Sequence, residues 1–225
     1  MRSDLALPRD DAASADTADD PRPAPGLARG QSPDQARDQE LASAAMIRYA
    51  AGDDRAFADV YAALAPRLYR FCICLAGRGD ADDLLQEVFL KMHRARATFV
   101  RGGSVTAWSF AIARTTSIDR ARSRRRQQED SAGQAQLERH GGGPADSPEA
   151  SSLGQALEQT VWAQLLALPE TLRAAYALVK IEGLSSPEAA QVLGITATAT
   201  KERVHRASVA LRQALEAAGW EERHG

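Results

Sequence analysis

The 225-residue chain has few of the features that commit a protein to chemistry of its own. It has only two cysteines, Cys72 and Cys74. In a helical stretch residues two apart point to different sides, which opposes both a disulfide between them and a shared metal. They read as small buried apolar side chains. The four histidines, His93, His140, His205 and His224, are scattered and keep no metal-ligand spacing with the cysteines, so no metal and no cofactor are expected. Neither a Gly-rich phosphate loop nor a nucleophile-base pair is visible, and the chain is read as a non-enzyme. No apolar run approaches the ~20 residues that cross a bilayer. Arg2, Asp4, Arg9, Asp10 and Asp11 stand where a signal peptide would be apolar. The expected location is cytoplasmic, with no membrane insertion.

The net charge of −2 conceals a strong asymmetry. Counting Lys and Arg against Asp and Glu, residues 1–40 carry five against nine, residues 41–126 fifteen against eight, residues 127–155 one against five, and residues 156–225 seven against eight. A basic block between acidic segments points to a polyanion partner for that block alone. Residues 1–40 hold almost no large apolar side chains and cannot offset the entropy of ordering, which predicts a disordered tail. Residues 127–155 repeat that composition around Gly141, Pro144 and Pro148 and predict a flexible acidic linker.

Between these segments lie two domains, over 41–126 and 156–218, both predicted entirely helical because apolar residues recur at spacings of three and four and nothing alternates in the strand pattern. The expected fold class is all-α. In the first domain helices are predicted near 41–51, 54–76, 80–97 and 104–126, with Asp80 capping the third and Ser104 the fourth. The third carries an apolar stripe of Leu85, Val88, Phe89 and Met92, opposite a polar face of Asp83, Gln86, Glu87, Lys91 and Arg94. In the second domain Ser185 and Glu188 have the spacing of a capping box. A short helix to Leu193, a turn at Gly194 and a second helix capped by Thr196 follow, the pattern of a helix-turn-helix. On that second helix Thr200, Val204, Ala207 and Leu211 fall on the packing side. Thr198, Lys201, Glu202, His205 and Arg206 fall on the other, where they can meet base edges, with Arg203 or Arg206 placed for phosphates.

The stretch "ADDLLQEVFLKMHRARATF…TAWSFAIARTTSIDRARSRRRQ" resembles the second conserved region of bacterial RNA polymerase sigma factors of the extracytoplasmic-function (ECF) type. "LPETLRAAYALVKIEGLSSPEAAQVLGITATATKERVHRASVAL" resembles their fourth region. The resemblance covers about residues 43–126 and 157–216. It implies an alternative sigma factor that binds core RNA polymerase and directs it to promoter DNA. By resemblance, Asp82, Asp83, Gln86, Glu87 and Lys91 dock on the clamp coiled coil of the largest subunit. Phe99, Arg101, Trp108, Phe110, Arg114, Arg120, Arg122 and Arg124 would read and melt the minus-ten element, helped by Arg125 and Arg126, with the loop Thr98 to Ser104 as a pocket for a flipped base. Thr198, Lys201, Glu202, Arg203, His205 and Arg206 would read the minus-thirty-five duplex. Glu129, Asp130 and Glu138 of the linker would follow the RNA exit path, and an anti-sigma factor is expected.

Three positions depart from the family pattern: Thr200 stands for a β-branched aliphatic, Glu202 for a serine, and Thr115 for an asparagine. Two other readings of the residues stay open at this point. One is a stand-alone helix-turn-helix regulator; the other adds a redox or metal-sensing role for Cys72 and Cys74.

Overall fold

The computed structural model describes residues 33–131 and 153–217. Expectations for residues 1–32 and 132–152, and for Glu138, His140 and His224, lie outside the described residues. Among those described there are helices and no strands. They are α1 (Pro33–Ala50), α2 (Ala56–Ala76), α3 (Arg78–Ala95), a 3-10 turn Arg96–Thr98, α4 (Val105–Ser131), α5 (Leu153–Ala167), α6 (Glu170–Tyr176), a π-helical stretch Ala177–Ile181, α7 (Ser186–Leu193) and α8 (Ala197–Ala217).

The first module is built on α2, whose Val60, Leu64, Leu68, Phe71 and Leu75 follow the three-to-four spacing and are all buried. Helices α1, α3 and α4 pack on it, and Phe110 of α4 meets Phe71 edge-on with ring centroids 5.1 Å apart. Pro66 sits inside α2, although a proline in a helix interior costs about 3 kcal/mol in principle. Burial of its neighbours Leu64, Ala65 and Leu68 outweighs the lost backbone bond.

The predicted apolar stripe of α3 is confirmed, with Leu85, Val88, Phe89 and Met92 all buried. Its start is not. The helix opens at Arg78, directly after Gly77, whose φ of 81° suits a residue without a Cβ. Asp80 therefore lies inside the first turn rather than at the cap, and its carboxylate is held by Arg124 instead. Ser104 does cap α4, accepting from the Ala107 N–H at 3.1 Å. Three boundaries also shift, the first helix of the second domain opening at Leu153 instead of 156. Residues 33–40, expected in the tail, form the start of α1, and α4 runs to Ser131, so Glu129 and Asp130 are helical rather than linker.

In the second module Ser185 and Glu188 form the reciprocal capping box, Gly194 closes α7 in the left-handed conformation, and Thr196 accepts from the Ala199 N–H. Helix α8 buries Thr200, Val204, Ala207, Ser208, Leu211 and Leu215 against α6 and α7. The two buried hydroxyls are satisfied within the helix, Thr200 donating to the Thr196 carbonyl and Ser208 to that of Val204.

The modules do not stand apart. Helices α2 and α4 pack on α6 and α7, and one apolar cluster runs through both modules.

Cys72 and Cys74 are both buried free thiols, and burial pushes each from an ordinary 9.0 up to about 12. A thiol that stays protonated when folded but ionises near 9 when unfolded contributes stability below pH about 9 that is lost as pH rises toward 12. At pH 8 native protein should leave a thiol reagent unconsumed, and two equivalents should react in step with urea unfolding. Fast titration of folded protein at that pH contradicts the packing role.

Candidate nucleic-acid interface

Three groups of polar side chains face outward from these helices. On α3, Asp82, Asp83 and Gln86 are exposed, while Glu87 and Lys91 are half-buried. The half-burial has a cause in α4. Lys91 Nζ lies 3.1 Å from Asp119 Oδ2 and 3.6 Å from Glu87 Oε1. Arg120 reaches between Asp80, Asp83 and Glu87 at 3.8 to 3.9 Å, and Arg124 grips Asp80 with two bonds of 2.9 and 2.7 Å. The hydrogen bonds from Arg124 hold the Asp80 carboxyl below its ordinary value of 3.8, and the same bonds raise Arg124.

Beside the polar face of α3 runs an open apolar groove of about 460 Å³ between α1, α2 and α3, floored by Phe57, Tyr61, Phe89 and Leu90. Tyr61 and Leu90 are nearly half exposed. Reading the sequence missed this groove; its one signal was Leu90, an apolar residue standing amid the polar face.

The second group surrounds the start of α4. Phe99 is buried and packs edge-on against half-buried Trp108, their centroids 5.4 Å apart. Phe110 is only 1% exposed, beneath the Arg67 guanidinium at 5.7 Å, so its ring is core and presents no face to a base. Arg101 is exposed on the turn closed by the Gly103 N–H to the Val100 carbonyl. Arg114 is turned toward the second module, bonded to Glu170 at 2.7 Å, with its Nε buried and lacking a partner. Arg122, Arg125 and Arg126 are exposed. The arginines expected along α4 thus divide. Arg114, Arg120 and Arg124 are engaged by carboxylates, and the rest are open to solvent.

The third group is on α8, where Thr198, Lys201, Glu202, His205 and Arg206 are exposed along one side and Arg203 is half-buried. This is the division between an exposed side and a packing side that the spacing predicts.

Among the described residues no cluster of His, Cys, Asp or Glu could hold a metal ion, and no helix is long and apolar enough to cross a membrane.

A helical module bearing an arginine-rich helix, followed by a helix-turn-helix, defines a class of nucleic-acid-binding transcription protein. Comparison with known proteins narrows it. Residues 60–127 match the family model for Sigma-70 region 2, and residues 158–211 that for Sigma-70 region 4. The ECF RNA polymerase sigma factor SigF of Caulobacter vibrioides is 36% identical over 174 residues, covering 76% of this chain and 92% of its own. SigW of Bacillus subtilis is 29% identical over 170 residues, covering 73% and 91%. Among solved structures, the sigma factor RpoE from Bartonella quintana, in complex with the anti-sigma factor NepR, matches with a TM-score of 0.58 at 28% identity over 71% of this chain and 96% of that one. CnrH in complex with the cytosolic domain of CnrY matches at 0.55 and 25% identity, covering 79% and 98%. The chain belongs to the ECF subfamily of RNA polymerase sigma factors and directs transcription initiation. Its relatives are a non-enzymatic class, and neither a stand-alone regulator nor a cysteine-based sensor is favoured beside it.

The Asp80–Arg124 pair gives a pH prediction. A carboxylate lowered in the folded state contributes stability that is present above its unfolded value near pH 4 and is lost as pH falls through the folded value. Asp80→Asn should therefore flatten the acid limb of the unfolding profile below pH about 4 and destabilise by at most ~1 kcal/mol at neutral pH, because the pair is solvent-screened. An acid limb identical to that of the unmodified chain would remove Asp80 from the account.

Proposed function

We propose that three surfaces divide the work of initiation in this sigma factor. The outward side of α3, with Asp82, Asp83, Gln86, Glu87 and Lys91, docks on the clamp coiled coil of the polymerase largest subunit. The loop before α4 and the half-buried Trp108, with Arg101, Arg114, Arg120, Arg122 and Arg124, engage the minus-ten element. The exposed side of α8 reads the minus-thirty-five duplex. The observation that carries this reading is the clean split of α8, whose apolar side is buried while Thr198, Lys201, Glu202, His205 and Arg206 all remain free to enter a major groove. The protein performs no bond chemistry itself and works in the cytoplasm, where its polymerase is. Since one matched structure is of a sigma factor in complex with an anti-sigma factor, an anti-sigma factor for this chain is part of the proposal.

Arg120 and Arg124, paired with carboxylates of their own module, remain compatible with DNA contact. Exposed ion pairs are worth ~0–1 kcal/mol each, so phosphates can replace the carboxylates of Asp80 and Asp83 at little cost.

Run-off transcription with purified core polymerase tests the whole reading: specific transcripts are expected, and their absence rejects it. Replacing Asp82 and Gln86 together with Ala should weaken core binding by roughly tenfold or more, with unchanged helicity, since two exposed interface residues are removed without loss of packing.

Glu202 makes a finer prediction. A carboxylate beside the groove repels phosphate but accepts a hydrogen bond from a cytosine amino group, so Glu202→Ala should relax preference at one base pair by ~1–3 kcal/mol while leaving overall affinity equal or higher. A binding profile across minus-thirty-five variants that matches the unmodified protein rejects it.

A further inference from the structure

We propose that the free chain is held closed by an ionic latch, Glu182 of the second module clasped by Arg67 and Arg70 of the first, and that the latch must open before both promoter elements can be engaged. The functional consequence rests on the reading above; the latch itself rests on geometry alone. Glu182 follows the π-helical stretch, and its side chain is 1% exposed. Arg67 Nε donates to Oε2 at 3.0 Å, and Arg70 donates to Oε1 at 3.0 Å and to Oε2 at 3.2 Å. Arg67 also donates to the Glu182 backbone carbonyl at 2.6 Å and reaches Thr106 of α4 at 3.4 Å. The carboxylate and carbonyl thus take four bonds, all from residues at least 112 positions away in the other module.

A carboxylate is buried only where it is paired and fully bonded. Both of its partners here belong to the opposite module, so Glu182 has no reason to be buried once the modules part. Two further bonds run the same way. Arg173 of α6 donates to the Cys74 carbonyl at the end of α2, and Glu170 holds Arg114. The second of these occupies an arginine assigned to promoter contact. The segment Gly183–Leu184 with Glu188 lies against Ser104 and Thr106, at the start of α4 and beside the loop assigned to the flipped base.

Size makes the closed form unable to do the whole job. A compact body of some 160 residues is ~40 Å across. Two elements about 25 base pairs apart lie ~85 Å apart along a duplex with 3.4 Å per step. The 21 residues between Ser131 and Leu153 allow separation, since such a chain spans up to roughly 70 Å when extended. An ionic latch suits reversible opening. Its charges are rehydrated when the modules part, which returns most of what their pairing contributes, so the pair fixes the closed geometry without making it irreversible.

The test uses the full chain with dyes on Ala121→Cys in α4 and Arg212→Cys in α8, both exposed positions, the native thiols being buried. Energy transfer between the dyes should be high in the parent and fall at least twofold in Glu182→Gln and in Arg70→Ala, with far-UV helicity preserved. Arg70 is 38% exposed, so its truncation leaves little unfilled core and serves where the Glu182 change perturbs folding. Latch variants should also bind core polymerase on the order of tenfold more tightly, because a larger fraction of the free chain is already competent. Low transfer in the parent, or transfer unchanged in both variants, overturns the latch. Transfer that falls while no variant supports specific transcription leaves the latch standing and overturns the sigma-factor reading instead.

Discussion

The C-terminal half of helix α2 must be packed on nearly all sides at once, and most of the architecture follows from that constraint. Helices α1, α3 and α4 bury it within the first module and α6 reaches it from the second. Cys72 and Cys74 record this directly. Two positions apart on a helix they face different directions, yet each is fully buried, so α2 has no solvent side over that turn. Small apolar residues suit such crowding, and burial makes both thiols poor nucleophiles. Pro66 itself is exposed, and the burial of Leu64, Ala65 and Leu68 around it keeps the helix unbroken. The turn bearing Arg67 and Arg70 presents charged side chains to the second module, and there α2 meets Glu182.

Charge is organised by the same economy. The chain is slightly acidic overall, yet its first module is basic, and there it keeps acids and arginines in close register. Across the α3–α4 boundary Asp80, Asp83 and Glu87 neutralise Arg120 and Arg124 while Asp119 holds Lys91. These pairs are shallow and solvent-screened, so they orient the arginines while adding little net stability. The Glu182 pair is deep, and burial makes it directional: it specifies one arrangement of the modules rather than adding much net stability.

Features written in adjacent residues were legible in the sequence. The capping box of Ser185 and Glu188, the turn at Gly194 and the two-sided spacing of α8 are set within a few positions of one another, and each appears as expected. The apolar stripe of α3 is of the same kind. What was not legible depends on partners distant in sequence. Asp80 has the composition of a cap, but Gly77 ends α2 so abruptly that α3 begins earlier and Asp80 is left for Arg124, 44 residues away. Phe110 has the composition of a stacking aromatic, yet it is consumed by Phe71 across the core. The π-helical stretch has no periodic signature, and contacts between modules are invisible to any pattern of period three or four.

The three departures from the family pattern follow from the same distinction. Thr200 is fully buried, and its hydroxyl is returned to the Thr196 carbonyl, so it fills the space of a β-branched aliphatic with no unpaired polar atom. Thr115 is exposed, but its hydroxyl is likewise spent on its own helix, at the Ala111 carbonyl. A side chain satisfied in that way offers a base less than an asparagine, whose amide carries both a donor and an acceptor. Glu202 alone presents new chemistry to solvent, on the side of α8 that packs against nothing in the chain. Thr200 therefore preserves the packing, Thr115 withdraws a donor and an acceptor from solvent, and Glu202 adds a charged group to the exposed side of α8.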